Sequence, residues 1–262
     1  MKDNGKAIYF ASDFHLGTPN KHESALREKQ ICSWLDHVSQ DAKCIFLVGD
    51  LFDFWFEYKT CIPKGHIRFQ AKIAEIVEKG IEVHFFHGNH DMWMFDYFKE
   101  ELGVHIHKDQ FHFEENGKRF FIAHGDGIGP GDLGYKSLKL IFRNKICQWL
   151  FARLHPNFGI KLAEFLSKSS RGTYDPKEYA FKGWEKEHLF QYSKKSNKNS
   201  PYDYFIFGHR HLPLKKAFDQ SMYVNLGEWI HFNSYGRFLQ GEFELLQWKN
   251  EKVHTLQSQH EI

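Results

Sequence analysis

Apolar residues gather in short runs along the chain, and the runs end alike. Ala7-Ile8-Tyr9-Phe10-Ala11 stops at Ser12-Asp13-Phe14-His15, Cys44-Ile45-Phe46-Leu47-Val48 at Gly49-Asp50-Leu51-Phe52-Asp53, and Ile81–Phe86 at His87-Gly88-Asn89-His90-Asp91. Short apolar runs bounded by Gly, Asn and Asp predict buried strands. Between them lie helical patterns. Leu26, Ile31, Trp34, Leu35 and Val38 make one apolar face over Glu23–Val38. His66–Lys79 reads as a second helix closed by Gly80, and Met92–Glu101 as a short third. Strands alternating with helices predict an α/β fold with its chemistry at the carboxyl ends of the strands.

The later runs repeat the theme. Arg119–Ala123 follows a hairpin through Glu115-Asn116-Gly117 and stops at His124-Gly125-Asp126. Tyr202–Phe207 stops at Gly208-His209-Arg210-His211. Met222–Gly227 and Arg237–Trp248 read as closing antiparallel strands. The segment 131–191 breaks the pattern. Leu138, Ile141, Phe142, Ile146, Trp149, Leu150 and Leu154 recur at helical spacing, interleaved with Lys136, Lys139, Arg143, Lys145 and Arg153. It divides the chain into a core, residues 1–130 and 192–262, and an inserted helical cap. The cap reads either as a packed helix pair with a solvated basic face, or as an apolar and basic lid suited to an acyl chain, a phosphate or an anionic membrane surface.

Composition narrows the classes. The chain has 262 residues, 42% hydrophobic and 17% aromatic, enough for a full core. A net charge of +2 calls for no nucleic-acid partner, and a nuclease would need a long basic groove. The 4 cysteines form no CxxC pair, which reads as reduced thiols. The start lacks the apolar core of a signal peptide, and no apolar run approaches the roughly 20 residues of a membrane span. The expected place is the cytoplasm, peripheral on the cytoplasmic face of the inner membrane if the cap binds it.

Collected, the strand ends offer Asp13, His15, Asp50, Asn89, His124, His209 and His211. Asp13 and His15, spaced by one residue, would share a side of an extended segment, as would His209 and His211. Oxygen and imidazole donors without thiolate suit Mn²⁺, Fe²⁺ or Zn²⁺ better than Ca²⁺. The set exceeds one open site and suffices for two ions sharing a carboxylate. Such a pair, roughly 3.5–4 Å apart, activates water for in-line attack at phosphorus. His90 is placed to stabilise charge or protonate a leaving oxygen, with Asp91 holding its other ring nitrogen.

The blocks DxH, GDxxD, GNHD, H and GHxH, in that order, resemble the calcineurin-like metallophosphoesterase family. The resemblance implies a β-sandwich of two mixed sheets flanked by helices. It also implies one ion on Asp13, His15, Asp50 and His211, and a second on Asp50, Asn89, His124 and His209. A closer resemblance, through Gly49–Trp55, His124-Gly125-Asp126, Asp132-Leu133-Gly134-Tyr135 and the helical insertion, is to the UDP-2,3-diacylglucosamine diphosphatase family of lipid A biosynthesis. That family cleaves a pyrophosphate to UMP and a diacylglucosamine 1-phosphate, typically with Mn²⁺, under a helical cap over the acyl chains. It implies a nucleotide-linked glycolipid substrate touching Asn89, His90 and His209. Tyr135, Phe142, Trp149 and Phe151 are the expected cap contacts, and Asp132, Ser169, Ser170 and Arg171 the expected partners of sugar and phosphate. The best-known members carry Arg where this chain has His90, a permanent charge against a group that titrates near neutrality. The alternatives are a related phosphodiesterase or phosphatase on another nucleotide or a phosphoprotein, and a non-catalytic scaffold on the same fold.

Overall fold

Strand β1 (Ala7–Ala11) is buried on both faces, and its alternating side chains reach two different cores. Ile8 and Phe10 point into a layer between two sheets; Ala7, Tyr9 and Ala11 point toward helices. This is the physical reason its sequence is a continuous apolar run rather than an alternating one. The computed structural model describes residues 5–129, 133–170 and 180–256.

In the first sheet β1 runs parallel to β2 (Ala42–Leu47), β2 to β3 (Glu82–Phe86) and β3 to β4 (His105–His107). On the other side of β1, β10 (Ser234–Leu239), β11 (Glu242–Lys249) and β12 (Lys252–Thr255) continue antiparallel, in the order β12-β11-β10-β1-β2-β3-β4. In the second sheet β6 (Lys118–Ala123), β7 (Tyr204–Phe207) and β9 (Ser221–Leu226) are parallel, flanked by the antiparallel β5 (Phe111–Glu115) and β8 (Pro213–Phe218). The fold is therefore α/β with two mixed sheets packed as a sandwich and flanked by helices. Phe10, Phe46, Val48, Phe120, Ile206, Val224 and Phe238 fill the layer between them.

Helices α1 (Lys21–Val38) and α2 (Ile67–Glu78) cover the outer face of the first sheet with Trp34, Leu35, Phe69 and Ile73. Asn20 caps α1 by accepting from the amides of His22 and Glu23. The expected helix over Met92–Glu101 is shorter and later, α3 (Tyr97–Leu102). Met92 and Trp93 instead form a separate apolar cluster with Phe56. The described cap has α4 (Leu133–Arg143), α5 (Lys145–Phe151) and α6 (Pro156–Ser170). After it, α7 (His188–Asn197) packs Leu189 and Phe190 on the outer face of the second sheet. Phe142 and Phe151 join the cap to the cluster of Phe56, Met92 and Trp93. Several of its other apolar side chains are open. Leu140 is 73% exposed, Ile146 68%, Phe158 60% and Phe165 68%, so a packed helix pair does not account for its apolar face.

Candidate metal centre

All the expected donors leave parallel strands at one rim of the sandwich: Asp13 and His15 after β1, Asp50 after β2, Asn89 after β3, His124 after β6, His209 and His211 after β7. The chain beyond the strand ends stays tied together. Asp13 N–H donates to Gly49 O at 3.0 Å, His15 N–H to Asp50 O at 2.9 Å, and Gly208 N–H to His124 O at 2.9 Å.

The backbone route differs from the extended segments expected. Asp13, His15, Asp50, His209 and His211 have φ of 55°, 44°, 53°, 66° and 58°. These left-handed conformations cost L-residues on the order of 1 kcal/mol or more each. They turn each side chain inward at once, where an extended strand would carry it along. The glycines beside them permit close approach. A Cβ on Gly88 would fall 2.1 Å from Asp50 Oδ1, one on Gly208 2.6 Å from Asp13 Oδ2, and one on Gly49 2.6 Å from His124 Nδ1.

Two clusters result. In the first, His211 Nε2 lies 3.2 Å and His15 Nε2 3.7 Å from Asp13 Oδ1, and the two Nε2 atoms are 3.1 Å apart. Asp50 Oδ2 is 3.9 Å from His15 Nε2. In the second, His124 Nε2 lies 3.3 Å from both Asp50 Oδ2 and Asn89 Oδ1, with a His209 nitrogen in the same group. Asp50 Oδ2 therefore belongs to both.

The donors fit divalent ions on three counts. Each carboxylate has one oxygen fixed by a backbone amide: His90 N–H donates to Asp50 Oδ1 at 2.8 Å and His209 N–H to Asp13 Oδ2 at 3.0 Å. The other oxygens, Asp13 Oδ1 and Asp50 Oδ2, are buried and accept no well-formed hydrogen bond. Thirdly, His124 Nδ1 sits 2.8 Å from Val48 O, which fixes its proton there and turns the Nε2 lone pair toward two acceptor oxygens. Only positive charge at that point, from a cation or a second proton, satisfies all three. Burial opposes charge on His124, but Asp50 outweighs it and pushes the imidazole up to about 10. Burial would likewise raise Asp50, and His124 and His90 overcome it to hold the carboxyl well below its ordinary range. His209, where burial dominates, falls to about 4 and is a neutral imidazole at pH 7.

The expected pairing of Asp91 with His90 is not formed. Asp91 accepts from the backbone amides of Gly88 at 2.8 Å, Leu51 at 2.7 Å, Asp50 at 3.3 Å and Phe52 at 3.3 Å. Those turns leave four amides without strand partners, and the buried Asp91 carboxylate accepts from all of them. His90 Nδ1 lies instead 3.1 Å from the carbonyl of Asp53. Asp53 Oδ1 is also 3.9 Å from His15 Nδ1, so this residue belongs beside the site. Its position in GDxxD was the signal for that. Two supporting residues had no signal in the sequence: Arg27, which donates to the carbonyls of His15 at 2.6 Å and Thr18 at 2.5 Å, and Asn225, which holds Gly208 O at 2.5 Å.

Of the cap candidates, Tyr135 donates its hydroxyl to Asp126 Oδ2 at 2.5 Å, beside His124. Phe142 and Phe151 pack on Trp93 with centroids 5.3 and 4.9 Å away. Trp149 is 55% exposed and lines a cavity of about 520 Å³ with Phe56, Met92, Phe95 and Arg143. Asp132 and Arg171 lie outside the described residues, as do the side chains of Ser169 and Ser170.

A carboxylate shared between two imidazole clusters, at the common rim of two packed mixed sheets, is the arrangement of a calcineurin-like metallophosphoesterase, a class of hydrolases. No protein-family profile matches the chain. The UDP-2,3-diacylglucosamine hydrolase of Porphyromonas gingivalis is 38% identical to it over 241 residues, covering 87% of this chain and 92% of that one. The enzyme of the same name from Actinobacillus succinogenes is 29% identical over 164 residues, 62% of this chain and 68% of that one. On that likeness the chain belongs to the UDP-2,3-diacylglucosamine hydrolase family. Among solved structures, an archaeal phosphodiesterase covers 95% of this chain and 99% of its own at 14% identity and a TM-score of 0.47, too distant to bear on function.

Proposed function

We propose that this protein hydrolyses the pyrophosphate of UDP-2,3-diacylglucosamine, giving UMP and 2,3-diacylglucosamine 1-phosphate. The observation that carries the reading is Asp50 Oδ2, buried between two imidazole clusters with no well-formed hydrogen bond, in a chain whose helical insertion leaves apolar side chains exposed. Family membership supplies the substrate class.

One ion would take Asp13, His15, Asp50 and His211; the other would take Asp50, Asn89, His124 and His209. Bound divalent ions, Mn²⁺ in this reading, supply Lewis acidity toward the phosphoryl oxygens and lower the pKa of water. The protein's part is positioning. Asp91 holds the turn amides of two loops, those after β2 and β3, so that Asp50 and Asn89 keep their separation. His90, fixed through Nδ1 by the Asp53 carbonyl, uses Nε2 to meet phosphoryl charge or give a proton to the departing phosphate.

The cap receives the acyl chains. Its exposed Leu140, Ile146, Leu150, Phe158 and Phe165, with Lys145, Arg153 and Lys161 between them, suit the boundary of an anionic bilayer. No described helix is long and apolar enough to cross a membrane, and the contact proposed is a peripheral one. Sedimentation with vesicles of anionic lipid should carry the protein down at low salt and release it at high salt. No sedimentation at any salt would remove the membrane contact from the proposal.

The decisive assay is release of UMP from UDP-2,3-diacylglucosamine by the purified protein with Mn²⁺. UMP should appear, and His90→Ala should slow turnover by roughly 10²–10⁴-fold with metal content unchanged. Absence of UMP alongside brisk cleavage of a soluble nucleotide diester would replace this reading with that of a related phosphodiesterase.

A further inference from the structure

A second cluster of metal-ligating side chains lies away from the rim, on the edge of the first sheet. In the β3–β4 pairing His84 stands opposite His105 and Phe86 opposite His107. Paired residues of parallel strands share a face, and residues two apart return to it. Glu82, His84, His105 and His107 are therefore brought to one patch. Glu82 opens β3 and His105 opens β4, and the catalytic loop follows the far end of β3. At about 3.3 Å per residue Glu82 stands roughly 13 Å and His84 roughly 7 Å before that end.

The geometry is that of a ligand set. Glu82, His84 and His105 each present one donor atom, all within 4.8 Å of one another. His84 Nε2 is 3.6 Å from Glu82 Oε2, beyond hydrogen-bond reach, and the His84 and His105 rings lie nearly parallel with centroids 4.8 Å apart. His84 Nδ1 and His107 Nε2 are 2.9 Å apart, so one of them donates to the other. With the proton on His84 Nδ1, its Nε2 lone pair faces the Glu82 carboxylate. Two acceptors then look at one point, and a cation placed there satisfies both.

We propose that Glu82, His84 and His105 bind one divalent ion of the zinc class, with His107 as the positioning residue that fixes the tautomer of His84. Two imidazoles and a carboxylate with no thiolate suit Zn²⁺, Ni²⁺ or Cu²⁺, with water completing the coordination. An imidazole whose far nitrogen is held by a hydrogen bond is the usual form of a metal-bound histidine. Burial first, and then the neighbouring imidazoles, lower His84 to about 3 and His107 to about 4. Both rings are therefore neutral at pH 7 and need lose no proton to ligate. The role is structural. β4 is a three-residue edge strand, and an ion joining its His105 to β3 clamps that edge.

The test is a stoichiometry difference, which reads this site whatever number of ions the rim holds. The full chain is equilibrated with micromolar free Zn²⁺, passed through a desalting column and analysed for metal, beside Glu82→Gln and His105→Gln. Glu82 and His105 are exposed, and a thermal melt without added metal checks that both variants fold. Each variant should hold one equivalent fewer than the parent, with hydrolysis of the phosphoester substrate unchanged. His107→Phe should weaken the same equivalent about 10–100-fold, the size of effect expected of a group that orients a ligand. Equal metal content in the parent and both Gln variants would overturn the proposal.

Discussion

At the scale of single residues, the site is a problem of close approach. Five of its donors take left-handed backbone conformations, and glycines beside them leave room where any Cβ would collide. Gly88 is the tightest case: the backbone amide of Asp50 would lie 2.3 Å from an added Cβ, and its Oδ1 2.1 Å. The first is backbone, and the second is held by the His90 amide at 2.8 Å. Gly88→Ala must therefore move Asp50, the one residue common to both clusters. It should reduce bound metal and turnover together, by at least about 10–100-fold in affinity, while the fold persists because no core contact is lost. Metal analysis beside circular dichroism checks this; full metal occupancy in the variant would show that the turn tolerates the methyl group. The donors themselves were legible in the sequence because each stands just past the end of an apolar run. Asp91 was legible as important but not in its role. Sequence spacing places it beside His90, and only the folded turns expose the four amides that claim its carboxylate first.

At the scale of elements, apolar runs located β1, β2, β3, β6, β7 and β9, since each is buried at most positions. The missed strands lack that signal. β4 is His-Ile-His, β12 is exposed throughout, and β8 begins with proline and carries Lys215 and Lys216. They pair through backbone at sheet edges, where side-chain pattern is weakly constrained. The two-sheet arrangement likewise came from resemblance and not from periodicity, because a strand buried between two layers reads alike in either sheet. Among the described contacts between cap and core, one sits at the end of α4. Phe142 is in the last turn of α4, where carbonyls lack helical partners. Trp93 Nε1–H donates to that carbonyl at 2.8 Å, and Gln148 Nε2–H at 2.9 Å. Trp93→Phe keeps the aromatic packing and removes one donor of the two. The cost should be about 0.5–1.5 kcal/mol, felt in the cap alone. Amide exchange in α4 and α5 should quicken several-fold while α1 and α2 stay protected; uniform quickening would mean that cap and core unfold as one unit.

At the scale of the whole molecule, the histidines buried as neutral groups set the acid limit of the fold. Burial lowers His87 to about 4, against a small opposing influence from its hydrogen bond with Met94 O at 2.9 Å. The folded-state value lies below the unfolded one, near 6.5, so between these values the unfolded chain binds a proton that the fold refuses. Unfolding free energy rises with pH wherever the unfolded state binds more protons. The stability tied to His87 is thus whole above about pH 6.5 and drains away as pH falls toward 4. At about 1.4 kcal/mol per pKa unit this amounts to a few kcal/mol, a substantial part of the roughly 5–15 kcal/mol of a folded domain. His84 and His107 are lowered in the same sense, and an ion on His84 and His105 would steepen the loss by requiring their unprotonated forms. Asp91, raised to about 7 by burial and by Asp50, titrates in the same window with the opposite sign. A single denaturation series would mix these contributions, so the measurement is a difference. Urea midpoints of the metal-free parent and of His87→Gln, taken from pH 8 to 4, should diverge at neutral pH and converge on acidification. A constant gap across the range would mean that His87 contributes packing alone, and that the acid limit is set elsewhere.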